Sequence, residues 1–169
     1  MNLLTDLPAY DNDTHGAGIT TLRVLVECEK GSVHKYEYTP EGYMTIVRDL
    51  SKKYKYPFAY GCVPQTLAED NDPLDAIVIS DEMISAGTII NCHVLGIIRT
   101  VDNGEQDDKL ICVPYYVKSG TVDIKKILHY LKNYKWPYQD GTVVGEVLGP
   151  DDAKKLISES IENYNNKKV

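Results

Sequence analysis

Short apolar and β-branched runs, separated by turn-forming residues, dominate the first two-thirds of the chain. Such runs are typical of strands, and they predict strands at residues 22–27, 34–38, 44–47, 76–79, 89–100 and 110–114. A glycine-containing turn, Asp102–Asp108, separates the last two runs. It predicts a hairpin that carries the carboxylates of Asp102 and Asp107 at one end.

Helical periodicity begins only in the last third of the chain. Apolar residues recur at helical spacing from Ile124 to Tyr134, which predicts a helix with Lys135 at its end, beside the sheet. A second helix is predicted after Gly149-Pro150, capped by Asp151 or Asp152. Its apolar stripe contains Ala153, Leu156, Ile157, Ser160 and Ile161. Strands followed by helices indicate the α+β class.

Length and composition are typical of a small enzyme with one core. The 169 residues are 43% hydrophobic and contain no Pro/Ser-rich linker or repeat, so residues 1–169 are predicted to form a single domain. The net charge of −7 argues against nucleic acid as a partner. No run approaches 18 apolar residues and no signal peptide is evident, so we expect a cytoplasmic protein that does not bind membranes. The four cysteines, which form no C-x-x-C, are predicted to be buried free thiols.

The most informative segment is Asp70-Asn71-Asp72-Pro73-Leu74-Asp75. Three carboxylates in six residues repel one another unless a cation neutralises them, and hard oxygen ligands suit Mg²⁺, Mn²⁺ or Ca²⁺. A solvated acidic turn is the alternative interpretation. A calcium-binding EF-hand loop does not fit, because Leu74 stands at the fifth loop position and Asp75 at the sixth, where a glycine is required.

Further charged residues recur at the ends of the predicted strands. Glu27 ends the first strand, Asp102 and Asp107 flank the hairpin turn, and basic and phenolic side chains are interleaved among them. Carboxylates opposite Lys, Arg and Tyr donors are what a polyanionic substrate bridged by Mg²⁺ requires. Phosphate is the natural candidate.

With these residues the sequence resembles the soluble family I inorganic pyrophosphatases. Residues 70–75 match the signature D-[SGDN]-D-[PE]-[LIVMF]-D completely. The ordered spacing of other elements agrees as well: Glu27, Lys35-Tyr36-Glu37, Gly42 with Arg48, Tyr56-Pro57, Tyr60-Gly61, Asp102 with Asp107 and Lys109, and Tyr134-Lys135. The resemblance is strong over residues 21–135, and the first twenty residues match nothing in it. It implies an OB-like five-stranded β-barrel with two helices in the C-terminal half.

The resemblance also implies a reaction and a role for each matching residue. The reaction is hydrolysis of pyrophosphate to two orthophosphates by metal-activated water, with several Mg²⁺ ions, or Mn²⁺ in their place. Asp72 is the implied base. The implied metal ligands are Glu27, Asp70, Asp75, Asp102 and Asp107; the implied substrate-binding residues are Lys35, Arg48, Tyr60, Tyr134 and Lys135; Glu37, Tyr56 and Lys109 are implied to support them.

The resemblance further implies a homo-oligomer, with a hexamer favoured. The tyrosine-rich segment 129–138 is the candidate contact surface, since aromatic residues are enriched at interfaces. Two departures from the family pattern stand out: Asn103 replaces an acid that many members carry, and residues 136–149 differ. A hydrolase of another small phosphoanhydride, such as a nucleoside triphosphate, and a non-catalytic OB-type binding module remain the alternatives.

Convergence of the carboxylates predicts an effect on stability in the absence of metal. Mutual repulsion is expected to raise the folded-state pKa values of Glu27, Asp70, Asp72, Asp75, Asp102 and Asp107. On that basis Asp75→Asn is expected to melt above the native chain in EDTA at pH 8.

Overall fold

The computed structural model describes residues 1–50, 52–118, 121–135 and 142–168. The helices in these ranges are α1 (Leu3–Asp6), α2 (Ile124–Asn133) and α3 (Pro150–Lys167). The strands are β1 (Tyr10–Asp11), β2 (Thr21–Cys28), β3 (His34–Tyr38), β4 (Met44–Asp49), β5 (Ala59–Cys62), β6 (Asp75–Val78), β7 (Ile89–Asp102), β8 (Glu105–Gln106), β9 (Lys109–Pro114) and β10 (Val143–Leu148). Each strand predicted above is present, and those predictions do not include β1, β5, β8 or β10.

Five of the strands form a closed ring in the order β2, β5, β6, β9, β7. The ring closes because β7 pairs with β2 as well as with β9, with Leu25 opposite Ile89 and Leu22 opposite Cys92. The pairing of β6 with β9 is parallel, and the other pairs are antiparallel. The predicted α+β class and the five-stranded, OB-like arrangement are confirmed.

The interior of the ring holds the main core. Alternate residues of β2, such as Leu22 and Val24, point into it and are almost fully buried. Helix α3 covers this core with Ala153 and Ile157, which confirms the predicted stripe. The predicted cap is wrong, because Gly149 is the N-cap. The two aspartates that follow lie in the first turn, where their charges favour the helix dipole.

Helix α2 packs a second, aromatic core against the outside of the ring. Tyr130 and Tyr134 are each 6% exposed and are packed with Tyr56 and Phe58. The prediction of the helix is confirmed. The prediction that its tyrosines form a contact surface is wrong for Tyr130 and Tyr134, since the chain's own core buries both rings. The remaining aromatic residues of segment 129–138 lie outside the described residues.

Strands β3 and β4 form a two-stranded sheet outside the ring. Most of β4 is exposed, and the hairpin carries both Lys35 and Arg48. The first twenty residues lie against the sheets: β1 pairs with β2, and Leu4 of α1 packs with Leu25 and Cys62.

Two further sequence predictions concern cysteines and membranes. All four cysteines are buried and free, as predicted. Among the described residues, no helix combines the length and the apolar character that crossing a membrane demands.

The close approach of β2 and β5 gives a first test of the fold. A Cβ atom at Gly61 would overlap the carbonyl oxygen of Leu25 on the neighbouring strand. We expect Gly61→Ala to lower the free energy of unfolding by about 1–3 kcal/mol, as overpacking does, and the urea midpoint measures this loss. Gly145→Ala is the matched control, because its Cβ would make ordinary contacts at 3.4 and 3.5 Å. A Gly61→Ala midpoint equal to that of Gly145→Ala would contradict the described pairing.

Candidate active site

The predicted carboxylates meet at one end of the ring. Glu27 lies near the end of β2, Asp75 begins β6 and Asp102 ends β7. Asp107 follows β8 directly, and the loop before β6 supplies Asp70 and Asp72. Because the strands are neighbours in a closed ring, residues far apart in sequence border one cavity of about 220 Å³. Its lining includes all six of these carboxylates.

Lys109 is the basic residue at the base of this cluster. It lies opposite Asp75 in the parallel pairing of β6 with β9, and its ammonium group contacts the carboxylates of Asp75 and Asp107. Its side chain is 2% exposed. Burial disfavours the ammonium ion, but the two carboxylates outweigh it and raise the pKa of Lys109 above its usual range.

Four cavity carboxylates hold their protons more tightly than usual. Burial raises the pKa of Glu27 to about 8, against hydrogen bonding from the backbone N–H of Tyr38. Burial and the charge of Asp75 raise the pKa of Asp107 to about 7. Burial also raises the pKa values of Asp70 and Asp72. The expected direction is therefore present for these four, but the first cause is burial and repulsion comes after it.

Asp75 departs from that expectation. Burial again disfavours its charge, yet Lys109 and Lys35 outweigh burial, and the pKa of Asp75 is lowered. A hydrogen bond from Tyr60 acts in the same direction. The charged form of Asp75 is therefore favoured, whereas burial favours the protonated forms of Glu27 and Asp107, and the prediction that repulsion raises the pKa of Asp75 is wrong.

The hairpin of β3 and β4 forms the basic side of the cavity. Lys35 and Glu37 line it and form an ion pair with each other. Arg48 lies opposite Lys35 across the two strands. One guanidinium nitrogen of Arg48 is buried and makes no hydrogen bond within the described part of the chain. A buried unpaired donor of this kind is suited to an anion.

Further aromatic and basic residues border the cavity or pack behind it. Tyr60 lines the cavity, and the ring of Tyr56 lies 5.5 Å behind it in the aromatic core. Tyr134 is the C-cap of α2 and stacks on Tyr130, while Lys135 contacts the carboxylate of Asp102.

The structure thus brings most of the predicted residues together. The predicted residues that line the cavity are Glu27, Lys35, Glu37, Tyr60, Asp70, Asp72, Asp75, Asp102 and Asp107. Lys109 and Lys135 reach it through their ion pairs. Arg48 adjoins it through strand register, and Tyr134 and Tyr56 stand behind it in the core.

Sequence reasoning assigned no site role to five lining residues: Tyr38, Cys62, Pro73, Asn103 and Glu105, although Pro73 lies in the signature segment and Asn103 was noted as a departure from the family pattern. Two of them had a local signal. Cys62 follows Tyr60 by two positions in a strand and therefore shares its face. Glu105 lies opposite Asp102 across the turn Asn103-Gly104, a dipeptide typical of two-residue hairpins.

The chemistry of the donors fits a hard divalent cation. The acidic residues that line the cavity offer only carboxylate oxygens, the ligands that Mg²⁺ and Mn²⁺ prefer. Within the described ranges, no three His, Cys, Asp or Glu side chains are arranged around one point, and lysines contact Asp75, Asp102 and Asp107 instead. Binding a cation in this site therefore requires these ion pairs to rearrange.

Comparison with known proteins gives a consistent result. The family model described as inorganic pyrophosphatase matches residues 24–165. The chain is 36% identical over 160 residues to an inorganic pyrophosphatase of Geobacillus stearothermophilus, covering 87% of this chain and 96% of that protein. A crystal structure of an inorganic pyrophosphatase from Neisseria gonorrhoeae superposes with a TM-score of 0.86 and 31% identity, covering 97% and 99% of the two chains. The corresponding structure from Thermus thermophilus gives a TM-score of 0.84 and 28% identity, covering 98% and 99%.

The opposite pKa shifts of Glu27 and Asp75 predict opposite effects of removing their charges. Glu27 contributes stability below its unfolded pKa, and this contribution is lost as pH rises toward its folded pKa of about 8. In EDTA at pH 8 we therefore expect Glu27→Gln to melt several degrees above the native chain. Near pH 3, well below the unfolded value of 4.5, Glu27 is protonated in both states, and the difference should vanish.

Asp75→Asn should behave in the other direction under the same conditions. The lowered pKa of Asp75 contributes stability above its unfolded pKa, and the variant also removes one partner of buried Lys109. We expect it to melt below the native chain in EDTA at pH 8, the reverse of what repulsion alone predicted. Differential scanning calorimetry measures both variants. A higher melting temperature for Asp75→Asn would contradict the Lys109 pairing.

Proposed function

Since the chain belongs to the inorganic pyrophosphatase family, we propose that it hydrolyses pyrophosphate to two orthophosphates and that Mg²⁺ supports the reaction. The observation that carries this proposal is one cavity whose lining brings eight carboxylates together with Lys35 and Tyr60. Pyrophosphate is small and carries several negative charges, so a site for it must combine cations with hydrogen-bond donors.

Divalent ions would be held by Glu27, Asp70, Asp75, Asp102 and Asp107. When bound, such ions lower the pKa of coordinated water toward 7 and offset the negative charge of the substrate. Mg²⁺ is the preferred proposal, and Mn²⁺ is an acceptable substitute because it shares the preference for oxygen ligands.

The substrate would be bound by Lys35, Arg48, Tyr60, Tyr134 and Lys135. Arg48 offers a planar pair of donors to a phosphoryl group, and its unpaired buried nitrogen supports this role. Lys35 and Lys135 act as point charges. Each is engaged with a carboxylate, Glu37 and Asp102 respectively, so binding of the anion exchanges one partner for another.

Asp72 would take a proton from the attacking water. Its carboxylate lines the cavity, and burial together with the charge of Asp70 raises its pKa. A raised pKa makes it a stronger base than an ordinary aspartate. Glu37, Tyr56 and Lys109 would support the site, with Lys109 compensating the charges of Asp75 and Asp107.

The remaining expectations are part of the same proposal. We propose a single domain over residues 1–169, and a cytoplasmic location stays a prediction.

Asn103 and Glu105 both border the cavity, so replacement of the usual acid by Asn103 still leaves a carboxylate nearby, opposite Asp102.

Phosphate release tests the reaction. We expect release from pyrophosphate with Mg²⁺, little release with EDTA, and much slower release from ATP. Faster turnover of ATP would favour the nucleoside-triphosphate alternative. Binding of pyrophosphate without turnover would favour the non-catalytic module.

Asp72→Asn tests the base. The amide is nearly isosteric but cannot accept a proton, so we expect kcat to fall about 10²–10⁴-fold while Mg²⁺ still raises the melting temperature. Asp81→Asn is the matched control, since Asp81 lies in an exposed turn and does not line the cavity. A kcat for Asp72→Asn close to that of Asp81→Asn would remove Asp72 from this role.

Assembly needs a separate measurement. We propose a homo-oligomer, with a hexamer favoured, and expect light scattering at micromolar concentration to give a mass several times that of the 19.0 kDa chain. A mass equal to one chain would refute the proposal.

A further inference from the structure

The basic side of the cavity is built on the less supported of the two sheets. Glu27, Asp75 and Asp102 stand on strands of the closed ring, where every strand pairs with at least two others. Lys35 and Arg48 stand on the hairpin of β3 and β4, whose two strands pair only with each other among the described strands. The distance between the two sides therefore depends on the contacts that hold this hairpin.

Asn2 provides a contact at the tip of the hairpin. Its side-chain amide donates a hydrogen bond of 2.7 Å to the backbone carbonyl of Pro40. Gly42 lies against the same side chain, because a Cβ atom there would come within 2.7 Å of the Cγ and Oδ1 atoms of Asn2. The absence of a side chain at Gly42 lets Asn2 fit against the tip.

The short helix α1, which Asn2 caps, is held to the other side of the cavity. Gln65 follows β5, and its backbone N–H donates to the carbonyl of Leu4 at 2.9 Å. The side-chain amide of Gln65 donates to the carbonyl of Thr5 at 2.7 Å. Gln65 also precedes the loop with Asp70 and Asp72, so α1 connects the tip of the basic hairpin to the acidic side.

We propose that Asn2 is a positioning residue for pyrophosphate: through Pro40 it holds Lys35 and Arg48 at a fixed separation from the carboxylates. This inference rests on the proposed function. A polyanion held from both sides requires the two sides to be correctly spaced before it binds, since ordering them on binding weakens affinity. The first residues of the chain, which match no family motif, thus contribute to substrate binding.

Three substitutions separate this role from helix capping. The Oδ1 atom of Asn2 also caps α1 by accepting a hydrogen bond from the N–H of Leu4 at 3.0 Å. Asp and Ser cap helices as well as Asn does, but neither carries the amide that donates to Pro40. Asn2→Asp and Asn2→Ser therefore remove the tip contact and keep the cap, whereas Asn2→Ala removes both.

Hydrogen exchange measures how firmly the hairpin is held, since its amides exchange when the hairpin opens locally. In Asn2→Asp and Asn2→Ser we expect faster exchange of amides in residues 34–49 and unchanged exchange in β6 and β9. The matched control is Asn163→Asp, which removes another exposed amide that donates to a distant carbonyl, that of Leu67. It should leave exchange of the hairpin unchanged.

The effect on substrate binding is measured as the affinity for imidodiphosphate with Mg²⁺, by calorimetry. Loss of one hydrogen bond predicts affinity weaker by roughly two- to tenfold in all three Asn2 variants, with KM for pyrophosphate raised by a similar factor and kcat changed less. The proposal is overturned if only Asn2→Ala differs from the native chain, since capping then explains the effect. It is also overturned if exchange rises and affinity does not change.

A double-mutant cycle with Gly42→Ala checks the contact itself. Gly42 has a φ of +89°, so Gly42→Ala strains the turn in both backgrounds, whereas the added methyl group displaces the side chain of Asn2 only in the native chain. Gly42→Ala should therefore weaken imidodiphosphate binding more in the native chain than in Asn2→Ala. Equal effects in both backgrounds would overturn the contact. If the native chain neither binds imidodiphosphate nor hydrolyses pyrophosphate, the proposed function fails, and hydrogen exchange alone still reports whether Asn2 holds the hairpin.

Discussion

The ion pairs of Lys109 with Asp75 and Asp107 are the interaction on which the charge balance of the cavity depends. A buried ammonium ion is costly unless carboxylates compensate it, and a cluster of carboxylates is equally costly without a cation. The parallel pairing of β6 with β9 satisfies both requirements by placing Asp75 opposite Lys109. One carboxylate is thereby kept ionised, while burial favours the protonated forms of Glu27 and Asp107.

Much of the fold was predictable because its signals are local. The apolar runs, the turn between Asp102 and Asp107 and the stripe of α3 each concern residues close in sequence. Closure of the ring was not predictable from them, because the pairing of β2 with β7 joins segments about seventy residues apart. Only the family resemblance indicated it. The predicted direction of the pKa shift of Asp75 was wrong for the same reason, since its partner Lys109 is 34 residues away.

The candidate site, too, was predictable only in part. Density of carboxylates and family spacing identified the residues that line the cavity, but composition cannot distinguish a buried tyrosine from an interfacial one. Tyr130 and Tyr134 fill the core between α2 and the ring, and only the packing reveals it. Glu105 and Cys62 were missed although a hairpin turn and strand alternation place them. Those two rules show which residues share a face of a strand, but only the tertiary structure shows which face borders the cavity.

The two sides of the cavity also differ in what fixes them. Ladder hydrogen bonds of the ring set the spacing among Glu27, Asp75 and Asp102. The basic hairpin instead contacts β2 and the N-terminal helix: the N–H of Tyr38 donates to Glu27, the N–H of Tyr36 donates to the sulfur of Cys28, and the carbonyl of Pro40 accepts from Asn2. The carboxylate of Glu27 that accepts the Tyr38 N–H is also a proposed cation ligand. Cation binding and placement of the hairpin therefore both involve the carboxylate of Glu27. The contact of Asn2 involves no ionisable side chain, so it holds the hairpin whatever the charge state of the cavity, and this is the physical reason for a brace outside the site itself.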